Sequence, residues 1–238
     1  MNLRARLTQE KGGNFSGGLY YWTQILFAYN SNHMEGSQLS ESQTKQIFDS
    51  GTFFPDGSKP IKTDDILETL NHFKAFDYIL VHVNESLTHD FVKHLHRLLK
   101  QNTSQEGSEL FSTGEYKRFN NQIGSLNAAQ TTSVEDVEKE MTTYFKKYKD
   151  IKDEGKSIAK FHYDFEKIHP FSDGNGRIGR LLLYKELLRI DGIPLVVRDE
   201  NRAYYIRGLQ EYETNQGYLI DTLLNEQDYY RELIERFN

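Results

Sequence analysis

The chain has 238 residues, enough for one large domain or for a domain with a small appendage. Hydrophobic residues make up 37% of it, with 15 Phe and 15 Tyr, which supplies a substantial core and excludes global disorder. A net charge of −6 without a long basic block argues against nucleic acid as the main partner, and the lack of cysteine excludes disulfides and thiolate metal sites.

The opening residues, MNLRARLTQEKGGNF, lack the apolar run of a signal peptide, and no later segment reaches membrane-spanning length. A cytoplasmic protein without a membrane partner is therefore expected. With two Gly-Gly pairs, residues 1–18 read as a loose N-terminal arm ahead of a single domain over 19–238. Residues 64–83 place Ile66, Leu67, Leu70, Phe73 and Phe76 at helical spacing behind Thr63, the expected N-cap. Thr88 caps the next helix, with Phe91, Leu95 and Leu98 on one face. The polar stretch 115–125, EYKRFNNQIGS, is unlike a helix and reads as a short β-hairpin or an ordinary connection.

Ser133 opens a further helix through Val137, Met141 and Phe145. Over 156–168, Ile158, Phe161, Phe165 and Ile168 form a narrow stripe, and Pro170 then stops the helix. From about Gly176 to Ile190 the residues Leu181, Leu182, Leu183, Leu187 and Leu188 leave little polar circumference, so this helix is expected at the buried centre. His72, His94, His96 and His162 lie on helical faces without metal-ligand spacing and read as core or surface residues.

The stretch HPFSDGNGRIGR, His169 to Arg180, holds the chemistry. Its Gly174, Gly176 and Gly179 spell a dinucleotide-binding pattern, but a helix precedes them where that motif needs a strand. A calcium loop fails as well, since aligning Gly176 with the sixth-position glycine puts Phe171 first and Leu182 twelfth, where oxygen ligands belong. Helix, loop and helix start remain. Unpaired N–H groups at a helix start bind phosphate, and glycines at 174 and 176 let phosphate oxygens approach. Arg177 and Arg180 project near one side of the first turn and can clamp a polyphosphate. Asp173 supplies an oxygen suited to Mg²⁺, and His169 can accept a proton from a hydroxyl. Each has a plainer alternative: a helix-capping histidine, a turn aspartate, solvated arginines.

HPFSDGNGR resembles the signature of the Fic family at every position, Arg180 matches the family's second arginine, and the flanking helices AKFHYDFEKI and GRLLLYKELLRI fit as well. The resemblance implies an all-α Fic fold: a helical bundle around a central helix–loop–helix active-site motif, with a short β-hairpin flap near 115–125. It implies transfer of AMP from Mg-ATP to Ser, Thr or Tyr hydroxyls of a target protein, self-modification included. His169 would be the general base, Asp173 the Mg²⁺ ligand and Phe171 a buried anchor. Asn175 with the 174–176 backbone would hold the α-phosphate, and Arg177 and Arg180 the β- and γ-phosphates. Gly176 marks the AMP-transferring branch. Tyr205 lines the adenine pocket or packs in the core.

Upstream, SNHMEG at 31–36 resembles the inhibitory motif found N-terminal to many Fic cores, with Ser31, Glu35 and Gly36 matching. Spacing of four puts Ser31 and Glu35 on one helix face, and Gly36 can end the helix in a left-handed cap. The resemblance implies that Glu35 reaches Arg180 and takes the guanidinium that the γ-phosphate needs. Transfer of UMP, removal of AMP, a non-catalytic binding module and homo-oligomerisation stay open, as do the target and its modified residue.

Overall fold

The computed structural model describes residues 2–13, 16–55, 60–123, 129–152 and 155–237. Its helices are α1 (Leu3–Gly12), α2 (Leu19–Met34), α3 (Glu41–Ser50), α4 (Thr63–Val81), α5 (His89–Lys100), α6 (Val137–Tyr148), α7 (Lys156–Ile168), α8 (Asn175–Arg189), α9 (Arg202–Gln210) and α10 (Gly217–Arg236). A two-stranded antiparallel hairpin, β1 (Gln122–Ile123) and β2 (Ala129–Gln130), pairs Gln122 with Gln130 and Ile123 with Ala129. Among the described residues no helix is long and apolar enough to cross a membrane. The all-α expectation holds, with the hairpin as a small addition.

Helix α8 is the central rod, as its leucine content predicts. Every residue from Arg177 to Leu188 is buried, and α7, α4, α2 and α5 pack around it. Its polar members are buried only because they are paired. Lys185 Nζ donates to Glu186 Oε1 at 2.9 Å and to the Glu85 carbonyl at 2.7 Å, and Arg189 Nε donates to Glu186 Oε2 at 2.7 Å. The aromatic residues fill the layers beside it; Phe27, Phe76 and Tyr184 meet with ring centroids 5.1–5.9 Å apart.

Several boundaries move from where local pattern puts them. The N-terminal segment is not a loose arm over residues 3–12. Asn2 Oδ1 caps α1 by accepting from Ala5 N–H at 2.9 Å, Leu7 is fully buried, and Glu10 Oε2 accepts from Tyr20 N–H at 2.8 Å. One buried leucine and a cap are weak local signals; the tertiary ties complete this helix. Thr63 is the first residue of α4 rather than its cap, which falls on Lys62 without a side-chain bond. Thr88 does cap α5, accepting from Phe91 N–H at 3.1 Å. Helix α6 begins at Val137, with 133–136 spent in a turn held on the Ser133 carbonyl. The hairpin strands sit later than 115–125, at 122–123 and 129–130, while residues 124 and 125 lie outside the described residues.

Candidate active site

The loop between α7 and α8 begins with a strained residue. His169 ends α7 in the left-handed region, φ 52° and ψ 61°, a rare conformation for a side chain with a Cβ. Pro170 follows and cannot continue the helix. His169 Nδ1 donates to the Glu166 carbonyl at 3.3 Å, which fixes the tautomer and leaves the Nε2 lone pair available. Burial drives the imidazole down to about 4, with the Lys117 ammonium acting in the same direction, so it is neutral at physiological pH.

Phe171 is fully buried and stacks on His96 with centroids 4.0 Å apart and planes 15° from parallel. The imidazole beneath it is neutral as well: His96 Nε2 donates to the Asp173 carbonyl at 3.1 Å, while Nδ1 accepts from Gly114 N–H at 2.9 Å. Gly174 turns the chain into α8 with φ 81°, a value that only glycine adopts cheaply. The first-turn N–H groups of α8 then have no intrahelical acceptor and sit at the positive end of the helix dipole.

The end of α2 covers this helix start. Its last turn closes in a Schellman arrangement, with Gly36 N–H on the His33 carbonyl at 3.0 Å, Ser37 N–H on the Asn32 carbonyl at 3.1 Å, and Gly36 at φ 99°. That cap aims three side chains at the arginines of α8. Arg180 Nε donates to Ser31 Oγ at 3.0 Å, and its Nη2 donates to the Ser31 carbonyl at 3.0 Å and to Glu35 Oε1 at 2.7 Å. Arg177 Nη1 donates to Asn32 Oδ1 at 3.3 Å and to Glu68 Oε2. Burial alone would push the Glu35 carboxyl up, but the two guanidiniums outweigh it and hold Glu35 below its ordinary range. A methyl group placed on Gly176 would come within 2.4 Å of Glu35 Oε1 and 2.9 Å of Arg180 Nη1. Glu35 therefore stands directly over the first-turn glycine of α8.

Asp173 lies in an array that local sequence does not announce. Its Oδ1 accepts from Gly174 N–H at 2.7 Å, and its Oδ2 accepts from Lys100 Nζ at 2.5 Å and Gln105 Nε2 at 2.9 Å. Lys100 Nζ also donates to Glu68 Oε1 at 2.5 Å, so Glu68 holds Lys100 and Arg177 together. Burial raises the Asp173 carboxyl, yet Arg177 and Lys100 overcome that and hold it far below the usual carboxylate range. Among the described residues no three His, Cys, Asp or Glu side chains gather as a metal cage. One ionised carboxylate beside the start of α8 fits Mg²⁺ through the lone pairs that Gly174, Lys100 and Gln105 leave open, since that ion keeps waters and completes its shell with substrate phosphate oxygens.

Two residues take other duties than those expected. Asn175 ties its side chain to the loop: Oδ1 accepts from Phe171 N–H and Nδ2 donates to the Phe171 carbonyl, both at 2.8 Å. Its backbone N–H and the second Nδ2 hydrogen are left to meet a phosphate. Tyr205 is buried to 1% exposure with its hydroxyl 2.7 Å from His162 Nε2, behind Arg180, so it offers a nucleotide no face. It packs in the core. Behind Arg180 also lies Glu166, whose carboxyl burial raises to about 7.

A buried helix start with unpaired N–H groups and two arginines, faced by a neutral histidine and the carboxylates of Asp173 and Glu35, has the chemistry to hold a phosphate chain. Residues 86–187 match the Fic/DOC family. It is 28% identical over 188 residues to a protein adenylyltransferase Fic of Nematostella vectensis, covering 77% of this chain and 42% of that protein. It is 27% identical over 194 residues to protein adenylyltransferase fic-1 of Caenorhabditis elegans, covering 79% of this chain and 36% of that one. The chain thus spans about two fifths of the length of these relatives. A Fic-domain-containing signalling protein of Bacteroides thetaiotaomicron superposes with TM-score 0.75 at 26% identity, over 92% of this chain and 85% of that one.

Proposed function

We propose that the chain is a protein adenylyltransferase, moving AMP from Mg-ATP to a Ser, Thr or Tyr hydroxyl of a protein, itself included, under restraint by Glu35. One observation carries the reading: His169, neutral and with Nε2 unbonded among the described residues, stands at the loop that ends in the N–H groups of α8 and two buried arginines. The names of the relatives point to the same reaction.

On this reading the phosphate chain lies on the α8 turn, where Gly174 and Gly176 leave room for its oxygens. Arg177 and Arg180 hold the β- and γ-phosphates. Asp173 would hold Mg²⁺, whose charge offsets that of the phosphates. The target hydroxyl loses its proton to His169 Nε2 as its oxygen bonds the α-phosphorus. The bond from that phosphorus to the bridging oxygen breaks, and pyrophosphate leaves. Glu35, bound to Arg180 and seated over Gly176, occupies the ground that the γ-phosphate needs.

The test is labelling in the Glu35→Gly background. Label from α-labelled ATP is expected to appear on protein, label from γ-labelled ATP is not, and His169→Ala should abolish the signal with the fold intact. Transfer that survives His169→Ala would remove the assigned base.

One feature favours a second activity, removal of AMP. The ionised Glu35 carboxylate is inside the site, where it can orient a water. Mixing self-labelled Glu35→Gly protein with the parent chain and following the label tests this. Label that stays in place sinks it.

A further inference from the structure

The hairpin is fastened to the active-site loop through one buried amine. Lys117 is 2% exposed, and its Nζ donates to Asn121 Oδ1 and to Thr131 Oγ1, both at 2.7 Å. Asn121 stands just before β1 and Thr131 just after β2, so the amine closes the base of the hairpin. Two bonds then reach the loop just after the histidine. Lys117 N–H donates to the Pro170 carbonyl at 2.9 Å, and Asn121 Nδ2 donates to the Phe171 carbonyl at 2.9 Å. The carbonyls of the two residues that follow His169 are thus held by the same small hub that shapes the hairpin.

We propose that Lys117 is a positioning residue for His169: its buried ammonium closes the hairpin base and fixes Asn121, so that the Lys117 N–H and the Asn121 amide hold the Pro170 and Phe171 carbonyls and with them the imidazole at the start of α8. This rests on the adenylyltransferase reading for its purpose, though not for its geometry. A left-handed histidine is a strained residue, and strain persists only where its surroundings over-determine it. Pro170 contributes no N–H to the loop, so its carbonyl and that of Phe171 are the handles available there.

Charge supports the assignment as well. Burial lowers Lys117 to about 8, which leaves most of it protonated at neutral pH. A cation close to His169 disfavours a second one on the ring, which keeps the base in its proton-accepting form. The other charged groups facing His169 are Glu35 and Asp173, which act in the opposite direction. Methionine at 117 would keep the volume and lose both the donors and the charge.

The experiment follows the imidazole directly. The full chain is labelled with ¹⁵N-histidine, and His169 is titrated by NMR in the parent, Lys117→Met and Lys117→Arg. The midpoint in Lys117→Met is expected to rise by about half a unit to one unit, with the parent value restored in Lys117→Arg. In the Glu35→Gly background the self-labelling rate of Lys117→Met should fall about tenfold or more, as expected when a reacting group is displaced by about an ångström. Its acid limb should shift upward in step. If Lys117→Met does not fold, Lys117→Gln, which drops the charge and keeps a donor, is expected to give the same upward shift. An unmoved His169 midpoint in a folded, charge-free variant overturns the proposal. So does an unchanged self-labelling rate. Absence of any labelling in Glu35→Gly alone would instead count against the adenylyltransferase reading, since the titration does not depend on activity.

Discussion

Arg180 Nη2 and Glu35 Oε1 lie 2.7 Å apart, joining the first turns of α8 to the cap of α2 across 145 positions of sequence. The pair is asymmetric. Arg180 is 3% exposed and held by Ser31 as well, whereas the Glu35 side chain is 33% exposed and sits at a helix end. Of the two, Glu35 is the more accessible partner.

Removing Glu35 leaves Arg180 buried without its counter-ion, which carries a cost in stability. Glu35→Gly is expected to lose about 1–3 kcal/mol, less than a fully buried pair because water already reaches the carboxylate and Ser31 remains. Mg-ATP should restore more of the thermal midpoint in this variant than in the parent, since ligand binding adds to folding stability. Differential scanning fluorimetry with and without nucleotide checks both. Equal ATP-induced shifts in the two proteins would separate the ion pair from nucleotide binding.

Histidine burial sets the acid behaviour. His72, His96 and His162 are held at about 3 and His169 at about 4, all chiefly by desolvation. For a histidine depressed in the folded state, the unfolded chain binds the proton first. Stability is therefore unaffected above about pH 7 and falls as pH drops from the unfolded value near 6.5 toward 3–4. Urea midpoints at pH 7, 6, 5 and 4 should decline in that order. A flat series would mean these rings are solvated.

The Asn175 side chain is committed to the loop, so its loss should first appear in stability. Asn175→Ala breaks two 2.8 Å bonds and leaves the Phe171 N–H buried without a partner, an expected cost of about 2–4 kcal/mol. Denaturant unfolding reads this. A variant as stable as the parent but impaired in ATP binding would return Asn175 to the role of direct phosphate ligand.

Gly176 gives a variant that blocks without releasing. Gly176→Ala puts a methyl where Glu35 Oε1 and Arg180 Nη1 now lie, so Glu35 must shift away, yet the same methyl fills the space the phosphates need. Unlike Glu35→Gly, it should show no gain of labelling and should weaken ATP binding by tenfold or more, about 1.4 kcal/mol or greater. Calorimetric titration with Mg-ATP measures the second quantity.

The parts of the site that lie close together in sequence were legible before the fold was. Residues 169–180 carry a histidine, a carboxylate and glycines whose combination makes sense only at a helix start, and Gly36 marks the end of α2 because a left-handed cap needs it. What stayed hidden is long-range. Glu68, Lys100, Asn121 and Lys117 carry no motif, and their use depends on α4, α5 and the hairpin converging on one loop. Half of α4 misled for the same reason: its buried Asp65, Thr69 and Asn71 sit beside half-buried Ile66, Leu67 and Leu70, because part of its inner face serves polar partners rather than core. Tyr205 has the composition of a pocket residue and the burial of a core residue, which only three-dimensional packing could decide.

The most direct measurement is the intact mass of the Glu35→Gly chain after incubation with ATP and Mg²⁺, beside the parent under the same conditions. Restraint of an adenylyltransferase by Glu35 predicts a gain of one or more AMP units in the variant and little or none in the parent. Equal masses in variant and parent, both unmodified or both modified to the same extent, would contradict it.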